Sequence, residues 1–449
     1  MSKDNPREIV LDMLLLWDKE KEYVNRLLND VLNKFDYLTK NERAFISRLF
    51  TGCVERKIEL DYIINRYASI KVNKMKPLIR NAIRMGTYQL MYMDKVPDNA
   101  ACDETIKLIK KRGFAGLKGF ANGVLRNIAR NKENITYPVE ETMRLSVVYS
   151  MPEWIVDRYV KAFGKEAAEV ILKAYMEELP VTIRVDENIP AEEKEALIDA
   201  ISKTGAIITR HEYLPYAYCV KNADGITGLP GFLEGKIMIS DVSSMLSVHI
   251  AGIKSNDRVL DVCAAPGGKT MHAATRLNNT GKLFSRDISE YKVSLIEENI
   301  LRTQYKNIET KVWDATCPDE SLYGTMDVVI ADVPCSGLGV IGKKQDIKYN
   351  ASQEGIEELV SIQQNILDTV SKYVKPGGTL IYSTCTITEE ENVMNRKWFL
   401  ENYPFEAVSI EEQLPEALKN ITGTDGYLML LPGIHKTDGF FMAKFRRKD

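Results

Sequence analysis

The sequence has no long apolar run: the early stretch Met13–Trp17 falls far short of the roughly 20 residues that span a bilayer. No basic segment followed by an apolar core opens the chain, so secretion is not expected. Histidine is scarce, with 4 in 449 residues, and the 7 cysteines form no CxxC pair. A metal site is therefore not expected, and the odd cysteine count fits a reducing cytoplasm in which all remain thiols. There is no internal repeat and no low-complexity tract. What is present is ordinary for a globular protein, 45% hydrophobic and 27% charged residues. At roughly 150 residues per domain the length predicts about three domains.

The net charge of −3 conceals an asymmetry. Residues 1–150 carry 27 Lys and Arg against 19 Asp and Glu, and the remainder 33 against 44. The excess is densest in 56–130, with 16 bases against 6 acids. A basic first third on an acidic remainder points to a polyanion-binding module. A solvated set of helix faces is the plainer reading of the same counts.

Residues 6 to about 130 read as helices. Ile9, Val10, Met13, Leu14 and Trp17 recur at helical spacing, as do Val24, Leu27, Leu28 and Val31. Thr39 and Asn41 are candidate caps, Pro77 fits a first helical turn, and Pro97 with Asp98 breaks the pattern. Asn131 to Pro152 is polar and reads as a linker. Helices are expected at 153–163, 165–177 and 190–203, with strands at Val181–Val185, Ala206–Thr209 and Ala217–Val220, a small α+β module. From about Ile237 strands alternate with helix-length segments: Arg258–Val262, Lys282–Phe284, Glu309–Trp313, Val328–Ala331 and Thr379–Tyr382, with Phe440–Phe445 closing. That rhythm predicts a Rossmann-like α/β domain with a mostly parallel, doubly wound sheet. The expected domains are 1–135, 136–236 and 237–449.

Cys263-Ala264-Ala265-Pro266-Gly267-Gly268-Lys269 ends a strand and opens a helix. Small residues there let the backbone approach a ligand at the carboxyl edge of the sheet. This turn is neither GxGxxG nor a P-loop, which weakens dehydrogenase and NTPase readings. Asp287, Asp314 and Asp332 end later strands, and Asp287 is spaced to meet ribose hydroxyls. A nucleoside cofactor without phosphate-binding signals points to S-adenosylmethionine.

Cys335 and Cys385 sit in turn-like settings just after strands, where this fold aims side chains into its crevice. The other five have blander places in helices, a strand, a loop and the cofactor turn. Two thiols beside a methyl donor suggest pyrimidine chemistry. A thiolate adding to carbon 6 makes carbon 5 enamine-like and able to attack a sulfonium methyl. A base must then remove the carbon 5 proton before the thiol can leave. Asp332 is placed as the acid near N3. The target base must leave any stack to be reached.

DVCAAPGGKT, SRDIS, DVPCSGLG, YSTCT and the ending DGFFMAKFRR resemble, in order, the NOL1/NOP2/Sun family of RNA cytosine-C5 methyltransferases. That resemblance implies Cys385 as nucleophile and Cys335 as the cysteine needed for release. It also implies cofactor contacts from Cys263 through Lys269 and from Asp287, Asp314 and Asp332. Phe120-Ala121-Asn122-Gly123-Val124-Leu125-Arg126, with the helices before it, resembles NusB-like RNA-binding domains. Together with Pro152-Glu153-Trp154 and Thr182-Ile183-Arg184-Val185, the chain resembles the Sun-type branch. That branch implies a cytosine of small-subunit (16S) ribosomal RNA as target; the RNA is expected free or in a partly assembled subunit, and the enzyme monomeric. Val333, Gln345, Asp186 and Val393 depart from the family pattern, and the 342–350 loop is a candidate substrate contact. Transfer RNA is the alternative substrate. A noncatalytic RNA-binding or assembly factor is the alternative class, disfavoured by Asp332, Cys335 and Cys385 occurring together.

Overall fold

The computed structural model describes residues 5–20, 23–177, 179–223, 225–419 and 421–449. It forms two compact units, residues 1–176 with 341–350, and residues 177–340 with 351–449.

The first unit is helical, as its apolar periodicity predicts. Thr39 caps Lys40–Glu55 through a reciprocal box with Glu42, and Pro77 opens Pro77–Tyr92. The inward faces meet in one core that includes Val10, Leu14, Ile46, Phe50, Leu60, Ile64, Ile83, Leu125 and Ile128. The expected linker at 131–152 is corrected in part: it holds the helix Glu141–Val148. Glu140 caps that helix by accepting from the Thr142 and Met143 N–H groups, and Leu145 and Val147 are buried. The apolar face is too short to stand out in a polar stretch.

The segment 341–350 belongs with these helices. Lys348 Nζ donates to the Glu55 carbonyl at 2.8 Å, and the Tyr349 hydroxyl to the Val54 carbonyl at 2.8 Å. Both bond carbonyls in the last turn of Lys40–Glu55, where helical partners run out. Tyr349 meets Trp17 edge-on, with ring centroids 5.7 Å apart. Burial pulls the Lys348 ammonium down to about 7. In the loop expected to touch substrate, Asp346 and Lys348 are thus buried, while Lys343 and Lys344 remain exposed.

Among the described residues the second unit contains twelve strands in two sheets. The smaller holds β1 (Val181–Val185), β2 (Ile207–Arg210), β3 (Ala217–Lys221) and β4 (Ile237–Ile239) in the antiparallel order β2-β3-β1-β4. Ile237 therefore starts a strand of the small sheet, and the parallel rhythm begins one strand later. The larger sheet holds β5 (Arg258–Asp261), β6 (Lys282–Asp287), β7 (Ile308–Val312), β8 (Met326–Asp332) and β9 (Val374–Thr384). It is completed by β10 (Phe405–Ala407), β11 (Tyr427–Leu430) and β12 (Phe440–Arg447). Its order is β10-β12-β9-β8-β5-β6-β7, with β11 also paired to β12. The run from β9 to β7 is parallel; β12 is antiparallel to β9. Chain order reverses between β5 and β8, so the ligand crevice of this fold lies outside their carboxyl ends.

Among the described residues no helix is long and apolar enough to cross a membrane.

Candidate active site

The carboxyl ends of β5, β8 and β9 carry the residues singled out from sequence. After β5 the chain turns through Cys263–Gly267 into the helix Gly268–Leu277. Gly267 has φ +103°, a left-handed conformation that side chains resist. A Cβ at Gly268 would meet nothing within 4 Å, so the turn faces open space at the helix N-terminus. Asp287, ending β6, accepts from the Ala265 N–H at 2.9 Å and the Ile288 N–H at 2.8 Å. Its first task is therefore to shape the turn. Asp314 accepts from the Thr316 N–H and hydroxyl at 2.9 and 2.7 Å. Burial, then the Asp287 charge, pushes the Cys263 thiol up. The open glycine turn and an acid at the end of β6 fit a nucleoside-bearing methyl donor.

Asp261 lies beneath this turn, fully buried. One oxygen accepts from the Thr270 hydroxyl at 2.7 Å and the other has no hydrogen-bond partner. Burial pushes its carboxyl up to about 7. A raised carboxyl binds its proton more tightly in the folded chain than in the unfolded one. Asp261 therefore makes stability fall as pH rises from the unfolded value near 4 towards 7. Asp261→Asn should gain stability relative to wild type between pH 4 and pH 7.5, measured by urea unfolding at each pH. A stability difference that stays flat across that window would contradict the assignment.

Cys335 follows β8 and Cys385 follows β9, and their sulfurs are 3.2 Å apart. The loop after Cys335 is bound to the other cysteine's strand: the Gly339 N–H donates to the Cys385 carbonyl at 3.0 Å. The Gly439 N–H donates to the Gly339 carbonyl at 2.8 Å. A Cβ on Gly339 would press into the Gly439 backbone and lie 2.8 Å from the Cys385 carbonyl, so only glycine permits this approach. The glycines of GLG and DGFF thus bring the two thiols together. The hydrogen bond to Cys385, followed by burial and the Cys385 and Glu391 charges, pushes the Cys335 thiol well up.

Asp332, at the end of β8, accepts from Lys269 Nζ at 2.6 Å and from the Ser383 hydroxyl at 2.7 Å. Lys269 thus turns its ammonium to the carboxylate three residues before Cys335. Sequence reading placed Lys269 only in the cofactor turn and missed this pairing. It also missed Ser383 and Glu391, since neither a serine in a strand nor the third acid of Glu389-Glu390-Glu391 announces burial. Among the described residues no cluster of His, Cys, Asp and Glu could hold a metal ion.

The family described as 16S rRNA methyltransferase RsmB/F matches residues 249–446, the NusB family residues 4–130, and the RsmF/B-like ferredoxin-like domain residues 151–227. A probable ribosomal RNA small subunit methyltransferase B of Bacillus subtilis (strain 168) is 36% identical, covering 100% of both chains. The chain belongs to the RsmB/F family of 16S rRNA methyltransferases. Another RsmB/F relative, the ribosomal RNA small subunit methyltransferase B of Cronobacter sakazakii, is 30% identical over 92% of each chain. A methyltransferase homolog from Pyrococcus horikoshii has a solved structure with TM-score 0.59 and 27% identity. It covers 69% of this chain and is itself covered over 100% of its length. The RsmB/F assignment agrees with the NusB-like head, the small middle module and the methyltransferase sheet expected from sequence, and it implies S-adenosylmethionine as methyl donor.

Proposed function

We propose that this RsmB/F protein methylates carbon 5 of a cytosine in 16S rRNA through a covalent bond between Cys385 and carbon 6. The observation that carries the reading is the 3.2 Å contact between two cysteine sulfurs at the ends of adjacent strands of the cofactor crevice. S-adenosylmethionine, when bound, supplies an electrophilic methyl on a sulfonium. Its proposed contacts are Cys263, Ala264, Ala265, Pro266, Gly267, Gly268, Lys269, Asp287, Asp314 and Asp332.

Cys385 as thiolate adds to carbon 6, and the ring electrons pass to carbon 5, which takes the methyl. Asp332, held between Lys269 and Ser383, is the proposed acid near N3, and the Lys269 ammonium paired with it supplies the positive charge that offsets the electron density the attack sends there. Cys335 then takes the carbon 5 proton or positions the group that does. Elimination breaks the Cys385–carbon 6 bond and restores the ring. A noncatalytic assembly factor would have no use for two thiols in contact beside an ion-paired acid.

The proposed RNA-binding head is 1–135, followed by the module 136–236 and the catalytic domain 237–449. Lys118, Arg126 and Arg130 are exposed on or beside the helix carrying the FANGVLR motif. Changing all three to Gln should flatten the slope of log affinity against log salt by about 2, because each phosphate contact releases condensed counterions. An unchanged slope would make these cations ordinary solvated surface. Transfer of labelled methyl to 16S rRNA but not to transfer RNA tests the substrate. Preferential labelling of transfer RNA would overturn that choice.

A further inference from the structure

Glu389-Glu390-Glu391 reads as a solvated acidic run, yet Glu391 is fully buried while Glu389 is exposed. A carboxylate is held inside a protein only when donors replace its water. Four do so here. Oε1 accepts from the Ser336 N–H at 2.8 Å and from Gln363 Nε2 at 3.0 Å. Oε2 accepts from the Ser336 and Thr388 hydroxyls, each at 2.6 Å. Glu391 lies in a single π-helical turn, Glu390–Met394, a rare geometry concentrated at functional sites.

These partners flank the two cysteines. Ser336 follows Cys335, Thr386 follows Cys385, and their hydroxyls are 2.8 Å apart. Gln363 also donates to the Pro334 carbonyl at 2.9 Å, on the other side of Cys335. Asn392, next to Glu391, donates to the Thr386 carbonyl at 2.9 Å. The Cys335 loop has no strand of its own to hold it, so this polar clamp joins the Gly339 contact in fixing it.

We propose that Glu391 is a positioning residue for the two-cysteine step, its buried carboxylate binding the residue after Cys335 and, through that residue's hydroxyl, the residue after Cys385. The inference rests on the two-cysteine reading above. Beyond geometry, the charge on Glu391 favours the protonated form of Cys335. The groups acting on Cys335 are Cys385 and Glu391, which raise its proton affinity with burial, and the Gly337 backbone, which lowers it; the Tyr382 hydroxyl is bonded to the Glu391 carbonyl.

Glu391→Gln separates charge from shape. Its amide oxygen still accepts from Ser336 N–H and Gln363, and its NH₂ faces two hydroxyls that rotate to accept. The test is the pH dependence of Cys335 alkylation by iodoacetamide, followed by peptide mass spectrometry on the full chain without RNA or methyl donor. In Glu391→Gln the midpoint should move down by about one pH unit, the scale of one nearby charge. An unmoved midpoint in the folded variant overturns the proposal. Ser336→Ala gives a second test that leaves the buried carboxylate in place. It cuts the hydroxyl link, and should raise the fraction of enzyme trapped on RNA above wild type. No rise, where Cys335→Ala does trap RNA, overturns the positioning role. No trapping by Cys335→Ala itself counts instead against the two-cysteine reading, and the RNA-free alkylation profile still judges Glu391.

Discussion

Cys335→Ala is expected to methylate RNA once and then remain bonded to it. Attack by Cys385 on carbon 6 joins enzyme and RNA before the methyl moves. After transfer, carbon 5 bears both the methyl and its original hydrogen. The Cys385–carbon 6 bond can break by elimination only when that hydrogen leaves as a proton. The Cys335 sulfur lies 3.2 Å from the Cys385 sulfur, within reach of a base bonded to Cys385. Losing a general base slows a step by about 10²–10⁴-fold, so the adduct should outlive normal turnover. Denaturing electrophoresis with labelled RNA and S-adenosylmethionine should show a shifted band, absent from the Cys335→Ala/Cys385→Ala double variant. A folded, cofactor-binding Cys335→Ala that gives no such band would reduce Cys335 to packing beneath the Pro334 turn.

Cys385→Ala should abolish methyl transfer, lowering turnover by at least about 10³-fold, the scale on which enzymes fail without their covalent nucleophile. The methyl-donor contacts proposed at the β5 turn lie on another strand, so cofactor affinity should stay within a few-fold. Filter binding of labelled S-adenosylmethionine alongside a turnover assay separates the two effects. Substantial residual turnover would remove Cys385 from the chemistry. Loss of cofactor binding would instead assign it a structural place in the crevice.

Much of this site was legible because its residues lie where strand, glycine and turn signals coincide. Cys385 ends an apolar strand and Cys335 follows one with an intervening proline, so both were placed at the carboxyl edge from sequence alone. Their contact was not legible. It depends on Gly339 and Gly439 meeting back to back across 100 residues of chain, a tertiary fact with no local signature. Glu391 was hidden for a related reason: an acid in an acidic run looks solvated until its four donors converge from separate segments. Asp287, spaced to meet ribose hydroxyls, also accepts from two backbone N–H groups at the turn, a role that spacing does not announce. The helix Glu141–Val148 escaped notice because its buried face amounts to few residues. Within the 342–350 loop, a candidate substrate contact, Lys348 and Tyr349 also bond to helix-end carbonyls, a role that charge and polarity do not announce.

The central claim is that Cys385 bonds to carbon 6 of the cytosine that receives the methyl. RNA carrying 5-fluorocytidine tests it most directly, because fluorine at carbon 5 leaves no proton to remove and elimination cannot follow. Wild-type enzyme incubated with this RNA and S-adenosylmethionine should stall, and digestion with mass spectrometry should find a methylated fluorocytidine on the Cys385 peptide. The same nucleotide on the Cys335 peptide, or methylated RNA released with no adduct on either cysteine, would contradict the account.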